Sequence, residues 1–194
     1  MSDSRISMKS WTPAGISLIL LVKNIKDKKV GNDPTTHIIP LRIRVGMMET
    51  VVKRFDELTP YELRDIYALR IAVFIVEQDC PFQDIDDMDD KAIHVYMKDK
   101  DGLAAYLRVL PPGSRYDDAS IGRVISMRRR QGLGTKIMSL GIEISRNEFH
   151  ARRILVEAQT YARKFYETSG FRQCSEEFLE DGIPHIMMAL EPSE

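Results

Sequence analysis

The sequence predicts a mixed α/β (α+β) domain, a sheet with helices packed against it, and three observations carry that prediction. From Met48 onward, short apolar runs of strand character alternate with amphipathic helical stretches. Asp101-Gly102 joins two of these runs in the way a tight hairpin turn does. The segment RRRQGLGT, Arg128 to Thr135, sets glycines at the start of the longest helical stretch, directly after a strand-like run.

Thr50 to Arg54 is the first strand of the domain. The helix after it has Thr59 as N-cap, Pro60 in its first turn and Glu62 three residues beyond the cap, which is a capping box. Leu58 and Leu63 are placed to staple that start. Leu63, Ile66, Tyr67, Val73 and Phe74 share one face, so the helix is expected to reach the stretch Val73 to Gln78. Ala92 to Met97 and Leu103 to Leu110 form the hairpin, ended by Pro111, Pro112 and Gly113. Ile121 to Ser126 is the next strand. Gly132 to His150 is the longest helix, with Leu133, Ile137, Leu140, Gly141 and Ile144 on one stripe. Arg153 to Ala158 reads as strand and Tyr161 to Ser169 as helix stopped by Gly170; Phe171 to Cys174 and His185 to Leu190 complete the strands.

A chain of 194 residues suits one domain with an appendage. Its 28 Lys and Arg against 29 Asp and Glu give a net charge of −1, which argues against a dedicated nucleic-acid binder. Cys80 and Cys174 stand far apart with no CxxC or Cys/His cluster, so neither a disulfide scaffold nor a zinc site is expected, and a reduced cytoplasm is. Residues 1–47 read as an N-terminal extension to a domain at 48–194. Ala14 to Val22 lies behind Arg5 and Lys9 like a secretion signal, but lacks a small-residue cleavage site, and a bilayer needs about 20 apolar residues. It is expected to be an extra strand or an arm, or to lie upstream of a true translation start at Met47-Met48. N-terminal sequencing that found earlier residues in the natural protein would reject that start.

Gly132 and Gly134 stand in an RxxGxG spacing with Arg129. Residues without side chains let backbone N–H groups close on a pyrophosphate at a helix N-terminus. The same pair is also what an ordinary tight turn before a helix needs. Arg128, Arg129 and Arg130 add the positive charge that a phosphate-rich ligand wants. Tyr166, in KFYETSGF, is either a core aromatic or a phenol placed to protonate a departing thiolate. An amine acceptor needs a proton taken from it, for which Glu77, His94, Glu157 and His185 are the candidates. Of these, His94 on a strand suits a satisfied core histidine, and Glu157 at a strand end suits a surface charge. Asp84, Asp86, Asp87, Asp89 and Asp90 crowd one loop. It fails as a calcium loop, because Met88, Asp89 and Val95 stand where an oxygen ligand, a glycine and a glutamate belong. It is expected to be solvated, or to draw a cationic amine to the site.

Five motifs in order resemble the GNAT N-acyltransferase superfamily, in its ElaA-like branch, over Met48 to Leu190. They are VFIVEQDCPFQDID at Val73 to Asp86, IGRV at Ile121 to Val124, RRRQGLG at Arg128 to Gly134, AQTYARKFYETSGF at Ala158 to Phe171, and EDGIPHIMM at Glu180 to Met188. The resemblance implies a central, mostly antiparallel twisted sheet flanked by helices, and transfer of acetyl from acetyl-CoA to a primary amine by direct attack. It implies that the backbone of Gln131, Gly132, Leu133, Gly134 and Thr135, with Arg129 and Arg130, holds the CoA pyrophosphate. Val124, Ile125 and Ser126 would pair with the pantetheine arm and hold the oxyanion, with Tyr161 and Phe165 also on the cofactor side. Tyr166 becomes the general acid, and Glu77 and His185 lead on the acceptor side because both fall in branch-typical motifs.

The stretch between IGRV and the glycines is two residues shorter than in many relatives, so the loop path is expected to differ. No metal is implied, nor a membrane or nucleic-acid partner; the acceptor is a small-molecule or peptide amine, and a homodimer is compatible. The alternative is a catalytically weak acyl-CoA-binding sensor or protein-interaction module on the same fold.

Overall fold

Thr59 opens the first helix as its sequence dictates. Its hydroxyl accepts from the Glu62 N–H at 3.2 Å, and the Glu62 carboxylate accepts from the Thr59 N–H at 2.9 Å. The computed structural model describes residues 41–45, 47–128 and 131–192. The Ala14 to Val22 run, with the strand or arm expected there, lies outside the described residues. The order is β1 Leu41–Val45, β2 Met48–Arg54, α1 Pro60–Arg70, β3 Ile93–Asp99, β4 Gly102–Leu110 and β5 Ala119–Ser126, then α2 Leu133–Glu148, β6 Ile154–Gln159, α3 Arg163–Thr168, β7 Arg172–Gln173, β8 Phe178–Glu180 and β9 Ile183–Leu190.

Among the described residues the nine strands make one sheet, ordered β1-β2-β3-β4-β5-β6-β9-β7 with β8 also on β9. Every pairing is antiparallel except β5 with β6. The mostly antiparallel mixed sheet that the sequence implies is the one observed. Side chains alternate across it, which sorts its two helical layers. On one face Ile66 and Leu69 of α1 pack with Val51, Tyr96, Tyr106 and Ile125. Burying such an aliphatic side chain contributes about 1.5–3 kcal/mol. On the other face α2 approaches β4 and β5 closely through Gly141, where an added Cβ would lie 3.0 Å from Leu107 Cδ2 and 3.1 Å from Ile121 Cδ1.

Several elements depart from expectation. The first helix reaches the Val73 to Gln78 stretch only as a wider turn: α1 stops at Arg70, and Ile71–Glu77 forms a π-helical turn. Ile71, Val73, Ile75 and Val76 are β-branched and crowd the preceding turn, which favours a wider one. The helix expected from Tyr161 begins as a 3-10 turn, Thr160–Ala162, before α3. Phe171 turns into the core at 0% exposure, so β7 keeps only Arg172–Gln173. Gly170 does stop α3, at φ +90° with its N–H donating to Glu167 O. Strands β1 and β8 were not anticipated; β8 is only three residues in a polar stretch.

The feature that positions the site is the junction of β5 with β6. Pairing there is limited to Ala119↔Ile154 and Ser120↔Leu155, after which the strands part. A cleft of about 740 Å³ opens between them.

Candidate active site

Strand β5 enters the cleft with its backbone distorted. Tyr106 pairs with Ile125 and Arg108 with Gly122, so Leu107 on β4 opposes both Arg123 and Val124 on β5. This is a β-bulge, and Arg123 within it has φ +54°. Val124, Ile125 and Ser126 follow directly and line the cleft. Met127 N–H then donates to Ala104 O at 2.9 Å, and the chain leads on to α2.

The start of α2 is glycine-dependent in two ways. Gly132, its N-cap, has φ +72° and provides no capping side chain, so the first-turn N–H groups of Leu133, Gly134 and Thr135 have no partner within the helix. Gly134 abuts Phe165: a Cβ there would sit 3.2 Å from Phe165 Cε2 and 3.7 Å from Ser126 Cβ. Phe165 and Ser126 both line the cleft, so the uncapped helix start adjoins it. Gln131 is exposed beside it. Arg129 and Arg130 lie outside the described residues. Arg128 does not serve the helix start as expected; its guanidinium is 2.6 Å from Asp99 at the β3–β4 turn, which neutralises it locally.

All three residues placed on the catalytic side line this one cleft: Tyr166 on α3, Glu77 at the end of the π turn and His185 on β9. Tyr166 is 8% exposed, packed edge-on against Phe165 and Phe171. Burial pushes its phenol above its ordinary value, and no protein group among the described residues hydrogen-bonds the hydroxyl. Tyr161 stands on the rim at 79% exposure. His185 Nδ1 lies 2.8 Å from Ile183 O, and its ring stacks on Phe178. A carbonyl can only accept, so Nδ1 carries a hydrogen and Nε2 is the ring nitrogen left to exchange a proton with a substrate.

The other two base candidates divide. His94 is fully buried on β3, with Nδ1 2.9 Å from the Tyr106 hydroxyl and Nε2 3.0 Å from Asp89 O. Burial holds its pKa below the usual value, and it is the satisfied core histidine that its strand position suggested. Glu157 is not the surface charge expected. It faces the cleft and accepts from Arg115 at 2.7 Å and the Tyr116 hydroxyl at 2.6 Å. Burial and that bond push the Tyr116 phenol up to about 12. Arg115 also bonds Glu180 at 3.0 Å, so the 111–118 loop is tied to β6 and β8. Gln159 Nε2 donates to Gln78 Oε1 at 3.0 Å, and the Cys80 thiol lies 3.6 Å from Asp181 O. Both contacts tie the segment after the π turn to the opposite side of the cleft.

The acidic loop is the largest correction. Asp84 and Asp89 are 3% and 2% exposed and do not meet an incoming amine. Arg70 bonds Asp84 at 2.9 Å and Asp89 at 2.7 Å; Arg108 bonds Asp86 at 2.5 and 2.7 Å and Asp89 at 2.8 Å; Arg123 bonds Asp84 at 2.6 Å. Three guanidinium groups thus meet three carboxylates beneath the cleft wall. Burial alone would raise the Asp86 pKa, but the Arg108 bonds more than offset it and hold the carboxyl low. Only Asp87 and Asp90 of the run are exposed. Sequence reading missed Arg70 and Arg108, although a charged residue on an otherwise apolar face is itself a signal that a counter-charge waits inside.

A mixed sheet opened between a parallel pair, beside an uncapped glycine helix start, defines a class, and the comparisons agree. The chain belongs to the GNAT acyltransferase superfamily: the family described as Acetyltransferase (GNAT) domain matches residues 62–192. Within it the chain belongs to the ElaA-like, UPF0039 branch. It is 40% identical over 148 residues to a UPF0039 protein of Schizosaccharomyces pombe, covering 74% of this chain and 97% of that one. It is 36% identical over 149 residues to Protein ElaA of Escherichia coli, covering 75% and 97%. The crystal structure of Escherichia coli ElaA superposes with a TM-score of 0.70 over 75% of this chain and 100% of that one. An acyl-CoA N-acyltransferase of Pseudomonas aeruginosa, 34% identical, gives 0.68 over 73% and 98%. The fold is that of an acyltransferase. Among the described residues, no helix is long and apolar enough to cross a membrane.

Proposed function

We propose that this protein transfers the acetyl group of acetyl-CoA to a primary amine by direct attack. The observation that carries the reading is the joining of β5, Tyr166, His185 and Glu77 in one cleft next to an uncapped helix start. The N–H groups of Gly132 to Thr135, with Arg129 and Arg130, hold the pyrophosphate. The pantetheine arm lies along Val124 to Ser126, flanked by Phe165 and Tyr161. One of the N–H groups of that strand receives the carbonyl oxygen as charge develops on it. His185 Nε2 takes the proton from the ammonium, with Glu77 orienting the amine. Tyr166, which its raised pKa keeps protonated, gives its proton to the leaving thiolate and is reprotonated by the second proton that the acylated nitrogen sheds.

The domain at work is taken as 48–194, preceded by an extension at 1–47 whose Leu41–Val45 segment adds a strand. The cytoplasmic setting, the homodimer and the small-molecule or peptide acceptor belong to the same proposal. The test is an acetyl-CoA turnover screen against polyamines, amino sugars, amino acids and peptide N-termini, run beside Tyr166→Phe. Tight acetyl-CoA binding with no transfer to any amine and no slow hydrolysis would replace the enzyme by the sensor.

A further inference from the structure

Among the described residues, four other than glycine have positive φ: Asp79, Arg123, His150 and Asp181. Asp79, His150 and Asp181 lie outside strands and helices; Arg123 alone sits inside a strand. A left-handed conformation sets Cβ against the neighbouring carbonyl, and glycine escapes that cost. A glycine occupies position 122, one residue away, and yet 123 is arginine. Something must hold that backbone against its own preference, and the side chain is what the structure grips.

The grip is tight and many-sided. Arg123 Nε donates to Asp84 Oδ1 at 2.6 Å and its Nη2 to Asp84 O at 3.1 Å. The guanidinium lies over the Phe82 and Phe74 rings, 5.5 and 5.8 Å from their centroids. Asp84 cannot follow a moving Arg123, because Arg70 anchors it from the other side, Nε to Oδ2 at 2.9 Å and Nη2 to the carbonyl at 2.7 Å. The fixed point is therefore buried at the end of α1, and the strained point is in the bulge immediately before Val124.

We propose that Asp84 and Arg123 are positioning residues: their ion pair holds residue 123 at positive φ, keeps the β4–β5 bulge in register, and so aims the Val124–Ser126 backbone into the cleft. The inference rests on the reading that this backbone receives the acyl-CoA thioester. Arg123 needs no contact with either substrate. The bulge is the element it acts through.

Arg123→Ala and Arg123→Gly test this, because both delete the same side chain and differ in the backbone they prefer. Without the grip, alanine relaxes from positive φ, whereas glycine keeps it at no steric cost. The expected result is that Arg123→Ala lowers kcat about 10²-fold, the effect of misplacing a reacting centre by about 1 Å. KM for acetyl-CoA should change far less, and Arg123→Gly should recover most of the lost kcat. Equal activity in the two variants, whether both impaired or both intact, overturns the proposal. Should Asp84, left with Arg70 as its one guanidinium partner, prevent folding, the same comparison is made in Asp84→Asn, which removes that carboxylate's charge from both. Crystal structures of the pair decide the matter independently of turnover: the Tyr106↔Ile125 and Arg108↔Gly122 register should be lost with alanine and kept with glycine. If the wild type shows no acyl transfer at all, the functional reading fails while this structural comparison still stands or falls by itself.

Discussion

Tyr166→Phe separates chemistry from architecture because the hydroxyl it removes has no protein partner among the described residues. The substitution loses no protein hydrogen bond and keeps the ring between Phe165 and Phe171. Stability should therefore stay within about 0.5 kcal/mol, the scale of a neutral substitution. In a domain of this size that is a shift in Tm of about 2 °C or less. Activity should behave differently. General acids contribute about 10²- to 10⁴-fold, and a thiol of pKa ~8.5 leaves readily enough to set the effect near the lower end. A fall of about 10²-fold in kcat corresponds to about 2.7 kcal/mol of transition-state stabilisation. The assay is release of the free CoA thiol at saturating amine, followed by a thiol-reactive dye from pH 6 to 9. Burial holds the phenol above its ordinary pKa of 10.0, so Tyr166 stays protonated throughout and the ratio of wild type to variant should be flat across that range. Unchanged turnover would refute the acid role. A Tm loss of more than about 5 °C would show instead that the hydroxyl holds the fold together.

Three further outcomes are expected. His185→Gln keeps a donor for Ile183 O but loses the proton acceptor, so kcat/KM should fall about 10²-fold at neutral pH and recover as free amine accumulates at higher pH; a loss that persists unchanged at high pH counts against the base. Gly134→Ala places a Cβ 3.2 Å from Phe165 Cε2, so KM for acetyl-CoA should rise several-fold, about 1 kcal/mol in binding, while the Tm moves little; equal KM values would detach that contact from donor binding. Burial would raise the Glu62 pKa, but hydrogen bonds from Lys53, Tyr96 and Thr59 bring it from 4.5 to about 2. A depressed folded pKa stabilises above the unfolded value and is lost on acidification, so wild-type stability should decline between pH 4.5 and about 2. Denaturant titrations of Glu62→Gln over that window should decline less steeply; parallel curves would assign the acid loss elsewhere.

What could be read from the sequence was what short-range chemistry writes locally. Thr59, Pro60 and Glu62 announce α1, and Gly132 and Gly170 mark where α2 begins and α3 ends, because caps and left-handed residues act within one turn. The placing of Glu77, Tyr166 and His185 came from motif resemblance, and the cleft that gathers them comes from sheet order, which no local pattern encodes. The acidic loop misled because its partners are remote: Asp84 meets Arg70 and Arg123, 14 and 39 residues away. Glu157 was misjudged for the same reason, since Arg115 reaches it from 42 residues upstream. The π turn after Arg70 escaped because apolar spacing hardly distinguishes a wide helical turn from an ordinary one over seven residues.

The two-pair contact between β5 and β6 has a consequence for what the protein accepts. It creates an edge strand in the middle of a sheet. Such an edge normally invites any passing chain to pair with it, which is why proteins cover or charge their outer edges. Here the opening is a slot, walled by both strands and laced by the Gln78–Gln159 and Arg115–Glu157 contacts. A thin, unbranched arm bearing amide groups can pair there like a strand. On the proposed reading, the sheet itself acts as a size filter, selecting the donor by its cross-section before any side chain reads its chemistry.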